Sequence, residues 1–275
     1  MLSFKPTIIT LKNRQDRIDQ VNKFYKPFLD EINFFFGLPK DEILKYKSKI
    51  TTKYCNNFCT IPIIGCATSH ILLWKAISEM ENGIYMIIED DTYINLSLVE
   101  NIFKDIERLF DKYDNLLLQI VGEGLGLEYT EIFNSLTLEK YKYHFFLGCY
   151  MITPKVASAL YQYFLKNKVS YHIDFVLNNI PDLRMMILRN KELGIQEGLT
   201  DSNMKINLNK IFYADNYQRL FYVLNFPIAS IFNIIITFNV IFLFLLIILT
   251  CFYKNIFMFA IIGIFLLEFI KLDYC

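Results

Sequence analysis

The sequence predicts an α/β domain, in which helices flank a mostly parallel β-sheet, followed by an apolar C-terminal segment. Two observations predict the domain: short β-branched runs alternate with stretches of helical apolar spacing, and polar residues punctuate the boundaries. A third observation concerns the tail, where no charged residue occurs from Leu220 to Tyr253. We therefore expect a globular domain over residues 1–216 and a membrane anchor over residues 217–275.

The first half of the domain is expected to begin with a strand over Pro6–Leu11 and a helix that starts near Asp16. Residues 37–63 are punctuated by cysteine, asparagine and proline, which predicts loop with short elements. A helix is predicted over Gly65–Glu81, where apolar residues recur on one face.

The second half of the domain alternates between strands and helices, which favours parallel strand pairing. The predicted elements are strand 84–88, helix 96–110, strand 115–121, strand 144–153, helix 154–165, helix 171–180 and strand 183–188. Gly122, Gly124 and Gly126 lack the strand–turn–helix context of a dinucleotide fingerprint, so they predict a flexible loop.

Charge balance and cysteine usage exclude some classes of protein. Because 28 basic and 28 acidic residues cancel, no broad basic surface for nucleic acid is expected. The N-terminus has no long apolar region or small-residue cleavage site, so no signal peptide is predicted and the six cysteines are expected to be reduced. The spacing Cys55-x3-Cys59-x6-Cys66-x3-His70 leaves a zinc site as an alternative, with a six-residue interval tighter than usual.

Three carboxylates, Glu89, Asp90 and Asp91, follow the apolar strand 84–88 directly. A strand that ends in carboxylates places them at the carboxyl edge of the sheet, where α/β proteins bind ligands. Such a group suits a hard divalent cation that bridges phosphate oxygens, whereas the plain alternative is a solvated acidic turn. A phosphatase-like nucleophile would put glutamate first in the register, and a two-metal nuclease would need further spaced acids. The triplet therefore favours one metal beside a nucleotide diphosphate.

Three further segments surround the triplet: "ITLKNRQDRIDQV", "IGCATSHILLWKAI" and, after it, "HFFLGCYMITPKVASAL". In this order the chain resembles glycosyltransferase family 25, which includes bacterial lipopolysaccharide galactosyltransferases and animal procollagen galactosyltransferases. The resemblance runs from Thr7 to Asn203 and includes "IQEGLTDSN", where Asn203 stands at a position usually held by Asp. The Asn- and Cys-rich composition is similar to giant-virus members.

The resemblance implies a GT-A-like nucleotide-sugar-binding domain whose acid-x-acid motif holds Mn²⁺ or Mg²⁺. It implies transfer of a hexose such as galactose, with inversion, from a UDP-sugar to a hydroxyl acceptor on a glycan, a lipid-linked glycan or a protein. The alternative is a catalytically inactive, membrane-anchored protein that binds sugar nucleotides or glycans.

The resemblance also assigns roles to individual residues. The metal candidates are Glu89, Asp91 and His172, and the catalytic candidates are Asp91 and Asp174, with Asp174 as the general base. The donor-binding candidates are Arg14, Arg17, Ser69, His70, Asp90 and Gln196.

Each role has a plain structural alternative. For the arginines it is a solvated helix start, and for Asp174 a plain helix carboxylate. Ser69 and His70 are expected at a helix start, where they would meet the anionic donor, or else serve as a capping serine and a packed histidine. Trp74, four residues after His70, is predicted to belong to the core.

The tail is expected to span a membrane over 226–252, with a second apolar segment over 256–270 that forms a hairpin or lies at the interface. No earlier element is available to carry the domain across, so we expect the catalytic domain in the cytoplasm. The alternative is a soluble protein that buries both segments.

Overall fold

The structure, a computed structural model, describes residues 2–29, 31–59, 61–190 and 192–196, two short strands of the tail, and four single residues beyond them. The described helices are α1 (Gln15–Tyr25), α2 (Lys40–Ile50), α3 (Lys53–Phe58), α4 (Ile61–Ser78), α5 (Leu96–Lys112), α6 (Pro154–Asn167) and α7 (Ile173–Leu177). The described strands of the domain are β1 (Lys5–Thr10), β2 (Phe34–Phe36), β3 (Tyr85–Glu89), β4 (Thr92–Ile94), β5 (Leu116–Phe133), β6 (Leu136–Ile152), β7 (Arg184–Leu188) and β8 (Gly194–Gln196).

A six-stranded sheet forms the centre of the domain, in the order β2-β1-β3-β6-β5-β7. β1 pairs in parallel with both β2 and β3, and β5 pairs in parallel with β7. β6 runs antiparallel to its neighbours β3 and β5, so it alone reverses direction in this sheet. The prediction of an α/β domain with a mostly parallel sheet is confirmed.

The sheet separates two apolar layers, because successive side chains of a strand point to opposite faces. Along β3, Tyr85 and Ile87 pack on the face covered by α4 and α6, while Met86 and Ile88 pack on the face covered by α1 and α5. All four side chains are at most 2% exposed, which fits a central strand buried on both faces. The predicted strand and its position before the acidic triplet are confirmed.

α5 shows how local sequence fixes an element. The Asn95 side chain accepts a hydrogen bond from the Leu98 amide and caps the helix start. Its apolar residues then recur every three or four positions and lie against the sheet, while the charged residues face outward. The predicted helix 96–110 is confirmed and extends to Lys112.

Two regions differ from the prediction. Residues 40–58 are mostly helical where loop with short elements was predicted: they form α2 and α3, with Pro39 before the first turn of α2 and Thr52 accepting a hydrogen bond from the Cys55 amide. The predicted loop at Gly122–Gly126 is wrong, because β5 continues to Phe133 and pairs with β6 in a long hairpin. Glycine suits Gly124 because a Cβ there would collide with the Tyr141 ring on β6.

The cysteines are not all reduced, contrary to the prediction. Cys55 and Cys59, at the C-terminal end of α3, form a disulfide, with their Cα atoms 4.6 Å apart. Cys66 and Cys149 are the free cysteines of the described part of the chain. A zinc site that uses all of Cys55, Cys59, Cys66 and His70 is therefore excluded in this state.

The start of the predicted membrane span is corrected. β9 (Pro227–Ile231) and β10 (Ile234–Thr237) form an antiparallel pair where a helix was expected, which fits a proline followed by β-branched isoleucines. Ile241, Phe244, Leu245 and Ile248 are helical, and the second apolar segment lies outside the described residues.

Among the described helices, α4 is the one long and apolar enough to cross a membrane by length and composition alone. Half of it is buried inside the domain, and it packs against α6 and the sheet as a core helix.

Candidate functional site

The candidate site lies where β1 and β3 end side by side. Ile9 of β1 is paired with Glu89 of β3, so Thr10 and Asp90 follow at the same edge of the sheet. The Thr10 hydroxyl donates a hydrogen bond to the Asp90 carboxylate at 2.5 Å. The carboxyl ends of these parallel strands thus meet where the sequence predicted a ligand site.

Asp90 shares this corner with two arginines from the loop and helix that follow β1. Burial raises the pKa of Asp90, while the Thr10 hydroxyl and the charges of Arg17 and Arg14 act in the opposite direction. Arg17 is only 3% exposed, which excludes a solvated helix start for this residue. Arg14 forms an ion pair with Asp16 at 2.7 Å, and this contact lowers the pKa of Asp16 to about 2. The Asp90 carboxylate therefore lies in the electric field of two guanidinium groups, and all three groups were predicted to bind the sugar nucleotide.

Past the triplet, the backbone is fixed from two sides. β4 pairs with β8, and this pairing places Gln196 opposite Thr92, next to Asp91. The buried Tyr25 hydroxyl donates to the Thr92 carbonyl at 3.0 Å and accepts from the Ile94 amide at 2.9 Å. The backbone at Gln196 therefore lies beside the acidic turn, and Tyr25 is a supporting residue that the sequence analysis missed.

A chain of buried side chains connects Glu89 to the core. The Trp74 indole donates to the Tyr150 hydroxyl at 2.8 Å, which lies 2.8 Å from His70 Nδ1. His70 Nε2 lies 3.4 Å from Glu89 Oε1. If Tyr150 donates its own hydrogen to Nδ1, then His70 carries its hydrogen on Nε2 and donates toward Glu89, which satisfies every group in the chain. Trp74 is a core residue, as predicted.

Ser69 and His70 are not at a helix start, contrary to the expectation. α4 begins at Ile61, with Pro62 in its first turn, where a missing amide hydrogen does no harm. Ser69 is 5% exposed and donates back to the Gly65 carbonyl, while His70 is 1% exposed. In this arrangement His70 acts on the site through Glu89.

Asp174 reaches the same edge from α7. Its carboxylate accepts hydrogen bonds from the backbone amides of Phe146, at 3.3 Å, and Phe175, at 3.1 Å. Burial raises the pKa of Asp174 to about 6; the two amide contacts oppose this rise, and the nearby charge of Glu89 adds to it. A carboxylate with this pKa is suited to accept a proton near neutral pH.

The backbone that holds Asp174 is itself unusual. Phe146 has a φ of +55°, a left-handed conformation that costs free energy for a bulky residue. Gln119 donates to the carbonyls of Phe145 and Phe146, and the Asn178 side chain bonds both backbone groups of His144. These contacts hold the bend in β6 in place.

His144 completes this support. It is fully buried, and burial lowers its pKa to about 3. Its Nε2 accepts from the Tyr141 amide, so Nδ1 carries the hydrogen and donates to Gln119 at 2.8 Å. Gln119, His144 and Asn178 were not predicted as site residues, because their roles depend on contacts between distant segments.

The charges of several carboxylates act on the Cys66 thiol. Burial raises the pKa of its thiol, and the charges of Glu89, Asp174 and Asp91 raise it further, in that order. These carboxylates come from the end of β3, the turn after it and α7, yet all of them act on one thiol. Clustered like charges of this kind are stabilised by a shared cation.

The metal candidates are only partly brought together. Within the described residues, the group whose ligand atoms lie within 4.8 Å of one another is Cys66, His70 and Glu89. His172 lies just before α7, where its ring contacts Tyr171 and Phe175. Glu89 is thus common to the predicted set and to this group.

The chain was compared with protein families, curated proteins and solved structures. The family model described as glycosyltransferase family 25 (LPS biosynthesis protein) matches residues 4–177, which is more than half of the chain. A search of curated proteins finds no match. Among solved structures, the chain is similar to mannose-1-phosphate geranyltransferase from Thermus thermophilus, with a TM-score of 0.36 and 6% identity over 68% of this chain and 74% of that one.

Proposed function

This chain belongs to glycosyltransferase family 25, and we propose that it transfers a hexose, such as galactose, from a UDP-sugar to a hydroxyl acceptor with inversion. The observation that carries the proposal is the placement of three carboxylates at one edge of the sheet: Glu89 ends β3, Asp91 lies in the turn that follows, and Asp174 accepts a hydrogen bond from the Phe146 amide of β6. In a GT-A-like domain, the edge of the sheet that bears these carboxylates is where the diphosphate would lie.

The metal ligands available at this edge fit Mn²⁺ or Mg²⁺. Glu89 and Asp91 offer carboxylate oxygens, which hard divalent cations prefer, and a bound cation would lower the repulsion among the like charges of this edge. His172, just before α7, is the remaining candidate and would add a nitrogen ligand. When bound, the ion would neutralise the diphosphate of the leaving group.

Side chains of the protein would bind the nucleotide and activate the acceptor. Arg14 and Arg17, beside Asp90, would orient the nucleotide, with Asp90 toward the ribose and the guanidinium groups toward the phosphates. Gln196 would close over the donor from β8. Asp174, with its raised pKa, would take the proton of the acceptor hydroxyl as that oxygen attacks.

The test is release of UDP from a panel of UDP-hexoses, with Mn²⁺, by the wild-type protein and by Asp91→Ala. We expect Asp91→Ala or a chelator to abolish release, while the variant keeps wild-type stability because removing one clustered charge relieves repulsion. Asp111→Ala, an exposed carboxylate on α5, is the matched control and should keep full activity.

Activity that is equal with and without the chelator would contradict the metal assignment. UDP-sugar binding without release from any donor would instead favour the inactive, binding-only protein. The acceptor is then sought by adding candidate glycans, lipids and proteins to the active UDP-sugar. The acceptor is the hydroxyl compound that accelerates UDP release.

We also propose that the tail holds the protein on a membrane, with the domain in the cytoplasm. The support is the uncharged run from Leu220 to Tyr253. The part of this run that follows β10 is shorter than the roughly 20 residues of a spanning helix, so an interfacial segment competes with a span.

Truncation after Asn216 should move the protein from the membrane fraction to the supernatant, and retention of the truncated chain in the membrane would contradict anchoring by the tail. In sealed vesicles, labelling of Cys275 from the side of the domain indicates a hairpin or an interfacial tail, and labelling from the far side indicates one span.

A further inference from the structure

The free thiol of Cys66 lies on the same face of α4 as His70, one helical turn away, and both side chains face Glu89 at the end of β3. Their ligand atoms lie within 4.8 Å of one another. We propose that Cys66, His70 and Glu89 form a binding site for a thiophilic divalent cation, Zn²⁺ in particular, on the inner side of the acidic edge.

The distances fit tetrahedral coordination. Zinc bonds of about 2.3 Å to sulfur and about 2.0–2.1 Å to nitrogen or oxygen place neighbouring ligand atoms about 3.3–3.6 Å apart. His70 Nε2 and Glu89 Oε1 are 3.4 Å apart, and Cys66 Sγ and Glu89 Oε1 are 4.0 Å apart. The first distance already matches a tetrahedral edge, and a small rotation of the cysteine side chain would bring the second to match.

The types of ligand atom favour zinc over the Mn²⁺ or Mg²⁺ proposed for the sugar-nucleotide site. The thiolate is a soft ligand and the imidazole a borderline one, and both suit Zn²⁺, whereas Mn²⁺ and Mg²⁺ favour oxygen ligands alone. One thiolate and one carboxylate also balance the two positive charges of the ion. Three protein ligands leave the fourth position open to water or to another carboxylate.

The surroundings of His70 are those of a ligand held in a fixed orientation. The ring is 1% exposed, and its Nδ1 faces the Tyr150 hydroxyl, which Trp74 also contacts. Ligating histidines usually place the second nitrogen against such a polar partner, which sets the ring orientation. When zinc takes Nε2, the ring hydrogen moves to Nδ1 and is donated to the Tyr150 oxygen.

Sharing of Glu89 has a functional consequence that rests on the proposed function. Because Glu89 would serve both cations, zinc bound at Cys66 and His70 withdraws a ligand from the Mn²⁺ site. Zinc should therefore inhibit UDP release, and excess Mn²⁺ should relieve the inhibition.

Binding is tested on the full-length protein with Co²⁺ as a spectroscopic substitute for Zn²⁺, after removal of bound metals. We expect a thiolate-to-cobalt charge-transfer band and the visible bands of tetrahedral cobalt, both displaced by Zn²⁺. Cys66→Ser should abolish the charge-transfer band and lower Zn²⁺ affinity at least about tenfold, since losing a ligand costs at least as much as losing a residue that orients one. Cys149→Ser, which removes the buried free thiol on the other side of the sheet, is the matched control and should keep the band.

A Cys55→Ser/Cys59→Ser variant and a Cys251→Ser/Cys275→Ser variant should keep the band as well. A second measurement needs no variant: Zn²⁺ should protect Cys66 of the wild-type protein from alkylation, read by peptide mass spectrometry. Absence of the band, its persistence in Cys66→Ser, or unprotected Cys66 in saturating Zn²⁺ would overturn the proposal. Zinc binding without UDP release from any donor would contradict only the proposed function, and UDP release without zinc binding would contradict only this inference.

Discussion

Replacing Asp174 by asparagine removes a charge from a half-buried position while the shape of the side chain is kept. The pKa of Asp174 is about 6 in the folded protein against 3.8 for the free side chain. The native state therefore holds the proton more tightly than the unfolded state does. This contribution to stability is complete below pH 3.8 and is lost as pH rises through 6, so the ionised carboxylate weakens the fold at pH 8.

The two contributions can be set against each other. A difference of about two pKa units corresponds to about 3 kcal/mol at pH 8. Asparagine has one carbonyl oxygen and an amide that cannot accept, so it keeps only one of the hydrogen bonds from the Phe146 and Phe175 amides. Loss of the other costs about 1 kcal/mol. Asp174→Asn should therefore stabilise the protein by about 1–2 kcal/mol at pH 8 and destabilise it by about 1 kcal/mol near pH 4.

The assay is urea unfolding of both proteins between pH 4 and pH 8 with a chelator present, alongside Asp111→Asn as an exposed control. If Asp174 is also the general base, turnover of the same variant should fall by about 10² to 10⁴ while donor binding is kept. A stability difference that does not change with pH would refute the reasoning from burial. A matching loss of donor affinity would make Asp174 a binding residue instead of the base.

Two further predictions concern the packing around the site. Gly37→Ala would place a Cβ 2.6 Å from Ser69 Oγ and 3.1 Å from Leu11, so it should lower the unfolding free energy by about 1–3 kcal/mol, and Ser69→Ala should remove most of that loss when the two are combined. Equal losses with and without Ser69 would contradict the contact. His144→Gln should lower the unfolding free energy at pH 7, because the buried hydrogen bonds of His144 are lost. The difference from the wild type should be smaller at pH 4. Because the pKa of His144 is low in the folded state, the wild-type protein itself loses about 3 kcal/mol of stability as pH falls from 6.5 toward 4. Thermal unfolding at the two pH values measures this, and a gap that stays constant would show that His144 does not remain neutral in the folded state.

The elements that the sequence predicts well are those whose pattern is local. β3 is a continuous apolar run between a turn and a set of charges, and α5 combines a cap with a full amphipathic period. In both cases the burial that stabilises the element is visible in the order of its residues. The position of the acidic triplet follows directly, because the strand that carries it is so clear.

The errors lie where tertiary contacts override local signals. Proline at the first turn of α4 and cysteine and asparagine within α3 suggested loop, but the apolar residues of α4 pack into the core and α3 buries Cys55 in the same core. The glycines after strand 115–121 suggested a flexible loop, yet this segment pairs with β6 and the Tyr141 ring covers Gly124. No local period could reveal these pairings.

The same distinction separates the site residues. A carboxylate at a strand end shows its role in the sequence, because strand direction alone fixes where it lies. His70 was predicted to meet the donor, but its role depends on Tyr150, 80 residues away, and on Glu89 across the sheet edge. Side chains that orient other side chains leave no signature in spacing, which is why Gln119, His144 and Tyr150 escaped notice.

The charge distribution at this edge argues that the site is built for a ligand and not for stability. Glu89, Asp91 and Asp174 come from separate elements, and their charges all raise the pKa of the partly buried Cys66 thiol. The fold itself does not require like charges at this edge, since removing them would also remove the cost of desolvating them. Phe146 adds a strained backbone, held by Gln119, whose effect is to aim an amide at Asp174. Repulsion and strain of this kind persist where a bound cation and a charged substrate relieve them, and the divalent ion and sugar diphosphate proposed for this edge would supply that relief.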